Sequence, residues 1–104
     1  MITKFTILGE RRSGTNFLEE CILKNFDINL TWEYGWKHFF GFNTYENSDD
    51  TLFIAIVRDP HTWMNSLYRK PFHLQKNLRK NIHNFLNDEF WSFYDHKNHG
   101  KRKI

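Results

Sequence analysis

Apolar and polar residues follow two periods along the chain, and the places where the period changes mark its elements. From Thr3 to Leu8 the residues alternate and then turn apolar, with β-branched and aromatic types, which predicts a strand ended by Gly9. A polar loop, Glu10 to Gly14, leads into Thr15 to Phe26, where apolar residues at 17, 18, 21, 22 and 26 line one helical face. Glu19 and Glu20 toward its start and Lys24 toward its end complement the helix dipole. Residues 28 to 34 carry an apolar side chain at every second position, the period of a strand with one buried face. Gly35 and Gly41 bracket an irregular segment, Trp36 to Phe40, and Asn43 to Asp50 is a polar connector. Leu52 to Val57 is continuously apolar, as a strand covered on both faces is.

Asp59 and Pro60 follow that strand at once and suit the N-cap and first helical positions, so a helix is predicted to start there. Trp63, Met64, Leu67 and Tyr68 form its stripe until Pro71 stops it. A last helix is predicted from Asn77 to Tyr94, on the spacing of Leu78, Ile82, Phe85, Leu86, Phe90 and Phe93, an aromatic stripe for a core or a partner surface. Strands alternating with helices predict an α/β fold: a three-layer sandwich with a small parallel sheet and a P-loop-like strand-loop-helix at the N-terminus. Residues 1–94 read as one domain and 95–104 as a basic, flexible tail.

Composition narrows the classes. With 104 residues the chain has room for one core, and 18% aromatic residues can fill it. Mean hydropathy is −0.71, and no stretch approaches the roughly 20 apolar residues of a membrane span. Lys and Arg number 15 against 12 acidic residues, a net charge of +3 that favours an anionic ligand. The basic residues are spread along the chain, so no nucleic-acid partner is expected. Cys21 stands alone, which excludes an intrachain disulfide and a cysteine zinc cluster. That, together with a strand beginning by Ile2 or Thr3, predicts a cytoplasmic protein without a secretory leader.

The chemistry gathers at the two strand-to-helix junctions, which a parallel sheet brings to one edge. Gly9 and Gly14 have the spacing of a phosphate loop, whose backbone N–H groups and helix N-terminus attract anions. Thr15 and Asn16 stand where a nucleoside triphosphatase has Lys and then Ser or Thr, and Arg11 and Arg12 precede Gly14 instead. At the second junction Arg58 can fork onto a phosphate, and Ser66, eight residues on, can add a hydroxyl.

Arg12-Ser13-Gly14-Thr15-Asn16 after a strand resembles the 5′-phosphosulfate loop of the PAPS-dependent sulfotransferases, and Arg58-Asp59-Pro60 with Ser66 resembles that family's 3′-phosphate motif. The resemblance covers about residues 3 to 70 and implies sulfuryl transfer from 3′-phosphoadenosine 5′-phosphosulfate (PAPS), a co-substrate, to a hydroxyl or amine of a small-molecule or carbohydrate acceptor, without a metal. It further implies that Ser13, Gly14, Thr15 and Asn16, with Arg11 beside them, hold the 5′ end and that Arg58 and Ser66 hold the 3′-phosphate. Arg12 stands where cytosolic members carry a Lys at the leaving oxygen, and Phe17 where they carry a Trp near the adenine. His38 follows the second strand, where the family places its catalytic base, and Lys37 beside it can steady sulfate charge. Glu10 is a second candidate base.

Two other readings stand beside this one. A P-loop kinase using ATP and magnesium shares the opening but lacks the Lys after Gly14, and a non-catalytic nucleotide-binding remnant fits a chain without the family's later Gly- and basic-rich loop. Three strands leave an edge able to recruit a second copy. Asp95, His96 and His99 have a spacing that could grip a metal, but a solvated tail accounts for them, as it does for the basic runs Arg79-Lys80 and Lys101 to Lys103.

Overall fold

The computed structural model describes residues 1–41, 46–71, 73–93 and 101–103. They fall into two compact units, Met1–Asp59 and Pro60–Ile104. The single core expected of so short a chain is accordingly divided into two clusters that share no residue. No helix among the described residues is long and apolar enough to cross a membrane.

In the first unit, strand β1 (Lys4–Leu8) leads to helix α1 (Thr15–Asn25), strand β2 (Asn29–Leu30) and strand β3 (Thr51–Ala55). The sheet is parallel with order β2-β1-β3, and β1 pairs with β3 from Lys4↔Thr51 to Leu8↔Ala55. This is a small α/β arrangement with β1 at its centre. The pleat sends Phe5 and Ile7 to the face where Leu18 and Ile22 of α1, Ile28, Leu30, Ile54 and Ile56 pack. On the alternate face Phe53 meets the ring of Tyr34 at 5.4 Å.

Two strand predictions need correction. The alternation from 28 to 34 yields a ladder of only two residues, because the Thr31 hydroxyl accepts the Glu33 N–H and Gly35 N–H turns back to the Trp32 carbonyl. Of the run from 52 to 57, residues 52 to 55 lie in β3, at the edge of the sheet and with Leu52 44% exposed, rather than in a strand covered on both faces, and Val57, 90% exposed, lies beyond the strand.

The second unit holds helix α2 (Pro60–Arg69), a 3₁₀ turn (Lys76–Arg79), helix α3 (Ile82–Asn87), strand β4 (Trp91–Phe93) and strand β5 (Lys101–Lys103). Leu67, Leu74, Leu78 and Phe85 form its core, with Trp63, Met64, Tyr68 and Phe90 against them. The long helix predicted from 77 to 94 is therefore broken into three pieces. Polar side chains take the backbone bonds that a continuous helix would use: Asn81 caps α3 by accepting the Asn84 N–H at 2.9 Å, and Asn84 donates to the Asn77 carbonyl. Gln75 binds the Glu89 carbonyl and accepts the Trp91 N–H, which turns the chain into β4. Phe85 keeps its core place, whereas Phe93 lies on a strand. Of the proposed tail, residues 95–100 and 104 lie outside the described residues, and Lys101–Lys103 pair antiparallel with Trp91–Phe93.

Candidate functional site

The parallel pairing of β1 and β3 sets the loop after β1 beside the exit of β3. Gly9 is what lets them close: a Cβ there would come within 2.7 Å of the Ile56 side chain and 3.0 Å of both the Ile56 carbonyl and Thr15. The loop then turns through two left-handed residues, Arg12 (φ 68°) and Gly14 (φ 92°), with Ser13 N–H donating to the Glu10 carbonyl at 3.2 Å. Gly14 caps α1 without any side-chain cap, and its carbonyl takes the Leu18 N–H. The N–H groups of the first helical turn thus have no acceptor within the helix, the condition under which a helix N-terminus attracts an anion.

Arg58 reaches back to this loop. Its Nη1 donates to the Arg12 carbonyl at 2.9 Å, although 46 residues separate the two in the chain. Ser13 and Thr15 are buried, Arg12, Asn16 and Phe17 are exposed, and Phe17 is 75% exposed. Ser66 lies on α2, in the second unit.

Residues 36 to 40 approach from the end of β2. Trp36 N–H bonds to the Phe40 carbonyl at 2.8 Å and Phe39 N–H to the Trp36 carbonyl at 2.9 Å, closing a tight turn with Phe39 left-handed at φ 65°. That turn clamps Gly9 from both sides: Gly9 N–H donates to the Lys37 carbonyl at 2.9 Å, and His38 Nδ1 lies 2.8 Å from the Gly9 carbonyl. A carbonyl only accepts, so Nδ1 carries the proton and the neutral ring keeps its lone pair on Nε2. His38 is 6% exposed, with the Trp36 ring edge-on at 4.6 Å, and the Arg11 guanidinium sits 5.2 Å from the Trp36 centroid.

Lys37, 9% exposed, sends its ammonium to the first turns of α1, where it binds Asn16 Oδ1 and, at 3.3 Å, Glu19 Oε2. Sequence reasoning did not single out Glu19 or the Arg11–Trp36 stack, since a helical glutamate and one more aromatic carry no signature. Arg11, Arg12, Ser13, Gly14, Thr15, Asn16, Lys37, His38 and Arg58 all belong to the first unit, gathered about the loop after β1. Glu10, the other candidate base, is half-buried in the loop itself. Among the described residues no three His, Cys, Asp or Glu side chains gather as a metal site, and Asp95, His96 and His99 lie outside them. In comparisons with protein families, curated proteins and solved structures, the chain matches none.

Proposed function

We propose that the protein is a PAPS-dependent sulfotransferase, with the loop from Arg11 to Phe17 as its donor cradle. The observation that carries the reading is the bond from Arg58 to the Arg12 carbonyl, which joins the two junctions whose motifs resemble the 5′ and 3′ halves of that family's donor site. The P-loop-like reading of β1, loop and α1, and the three-layer sandwich it implies, belong to the same proposal.

In this reading the first-turn N–H groups of α1 and the side chains of Arg11 and Arg12 meet the 5′-phosphosulfate. Phe17, exposed beside the loop, is the surface offered to the adenine. Arg58 is the first unit's contact to the 3′-phosphate, which separates PAPS from ATP. The acceptor oxygen attacks sulfur, an O–S bond forms, the S–O bond to the 5′-phosphate breaks, and 3′-phosphoadenosine 5′-phosphate (PAP) leaves. His38 takes the acceptor proton on Nε2, which its Nδ1–H bond to Gly9 keeps unprotonated in the neutral ring. Lys37, anchored by Asn16 and Glu19, steadies charge on the transferred group. The acceptor is a small molecule or carbohydrate.

Calorimetric titration tests this directly. PAP binds in preference to ATP with magnesium, and Arg58→Ala weakens PAP by about 1.5–3 kcal/mol, roughly 10- to 150-fold. His38→Gln retains PAP affinity and loses sulfate transfer to a panel of sugars and phenols. A clear preference for ATP with magnesium removes the proposal in favour of a kinase; PAP binding without transfer by the unaltered protein leaves a nucleotide-binding module.

A further inference from the structure

The turn from Trp36 to Phe40 does more than clamp Gly9. Its first residue is held at both ends of its backbone, because Trp36 N–H donates to the Phe40 carbonyl at 2.8 Å and the Trp36 carbonyl accepts the Phe39 N–H at 2.9 Å. The Phe40 ring lies 6.1 Å from the indole. Trp36 is thus fixed in place while its side chain remains half-buried.

Two side chains of the candidate site meet this one indole. The Arg11 guanidinium, from the loop after β1, stands over the ring, 5.2 Å from its centroid. The His38 imidazole stands nearly perpendicular to it, at an interplanar angle of 85° with the centroids 4.6 Å apart. Arg11 and His38 come from different segments of the first unit, and the Trp36 ring is a neighbour of both.

Each contact does a separate physical job. A guanidinium carries five N–H donors, and its attraction to an aromatic face uses none of them as a hydrogen bond, so the same arginine can meet an anion. Holding it over the ring in advance reduces the side-chain ordering that anion binding would otherwise cost. For His38 the problem is orientation. The bond from Nδ1 to the Gly9 carbonyl, 2.8 Å long, fixes one atom of the imidazole and leaves the ring able to swing about it. A perpendicular indole limits that swing and so sets where Nε2 is aimed. We propose that Trp36 is a positioning residue for both halves of the transfer: through Arg11 it places the anionic 5′ end of the donor, and through His38 it places the base. The inference rests on the sulfotransferase reading and adds to it a residue that the resemblance did not assign.

The two contacts predict separable effects. In calorimetric titration Trp36→Leu weakens PAP about fivefold, the weight of a cation–π contact at a half-open site. It also lowers kcat for sulfate transfer about tenfold or more, because the base is no longer aimed. In an Arg11→Ala background Trp36→Leu weakens PAP no further yet still lowers kcat, and in a His38→Gln background it still weakens PAP. Trp36→Phe keeps an aromatic face and retains kcat within about threefold. A residue that only supports the fold would add its loss of PAP affinity in every background. If Trp36→Leu loses the circular dichroism spectrum of the unaltered protein, fluorescence decides instead: PAP changes the tryptophan emission of the unaltered protein, and most of that change is absent from Trp36→Phe although PAP still binds. Additive losses of PAP affinity in Arg11→Ala with Trp36→Leu, or an emission change that survives Trp36→Phe, overturn the inference and leave the donor site standing. Failure of the unaltered protein to bind PAP removes the sulfotransferase reading, and this inference with it.

Discussion

At the scale of single residues, the first unit holds two side chains in positions that cost stability. Arg12 adopts φ 68°, a left-handed conformation that costs a residue with a Cβ about 1–2 kcal/mol, and its carbonyl is held by Arg58. Strain of this kind persists where the surroundings over-determine it, often at a ligand clamp. Arg12→Gly relieves it, offset in part by the freer unfolded chain, so urea unfolding is expected to give a net gain of up to about 1 kcal/mol. Under the proposed function PAP affinity falls in the same variant. A loss of stability instead would show that the Arg12 side chain, not the backbone, sets the loop. Thr6 presents the second case: it is 1% exposed in the central strand, and its hydroxyl has no hydrogen-bond partner among the described residues. Thr6→Val replaces that hydroxyl with a methyl of the same shape, and a rise in stability of about 1 kcal/mol is expected. Destabilisation would mean that the hydroxyl has found a partner.

At the scale of elements, one ion network ties the strands of the parallel sheet. Lys4 on β1 lies 3.2 Å from Glu33 beyond β2 and 3.6 Å from Asp50 just before β3. Asp50 is held below the usual carboxylate range, first by the Thr51 hydroxyl that donates to it at 2.9 Å and then by Lys4. Lys4 is held above its ordinary value, first by its hydrogen bond to Glu33. A depressed acid stabilises the fold above its unfolded pKa, about 3.9, and that contribution fades as pH falls through the lower folded value. A raised lysine stabilises below about 10.4, and its contribution fades as pH rises through the higher folded value. Asp50→Asn is therefore expected to flatten the acid limb of a stability-pH curve and Lys4→Met the alkaline limb, both slightly because the two side chains are half-open to solvent, which screens them. Unchanged limbs in either variant would remove the network's role. In the second unit, Asn81→Ala removes the cap of α3 and is expected to cost about 1 kcal/mol in denaturant unfolding. That cap also explains what the sequence concealed. Period and punctuation reveal β1, α1 and α2, because Gly9, Pro60 and Pro71 act locally. The helical spacing from Leu78 to Phe93 is equally regular, yet Gln75, Asn81 and Asn84 spend their side chains on backbone groups that a continuous helix would pair within itself. Such competition is tertiary, and periodicity does not register it. The same holds at the site. The glycine spacing announced the loop, but Lys37 turning to Asn16 and Glu19, and His38 to the Gly9 carbonyl, depend on the tight turn at residues 36 to 40.

Across the whole molecule, length alone would allow one core, and the buried residues instead form two with no member in common. Phe5, Ile7 and Ile22 hold the sheet that carries the loop after β1, while Leu67, Leu74, Leu78 and Phe85 hold the second unit. If each cluster stabilises its own unit, a cavity in one is felt mainly there. Leu78 is 0% exposed, and truncating such a side chain costs about 2–5 kcal/mol, the lost transfer energy plus the void left behind. Native-state hydrogen exchange of Leu78→Ala is therefore expected to lose protection at Leu74 and Phe85 while the amides of Thr6 and Ile7 keep most of theirs. Under that outcome PAP binding by the first unit survives the substitution. Equal loss of protection at Thr6 and Phe85 would mean that the two clusters unfold as one.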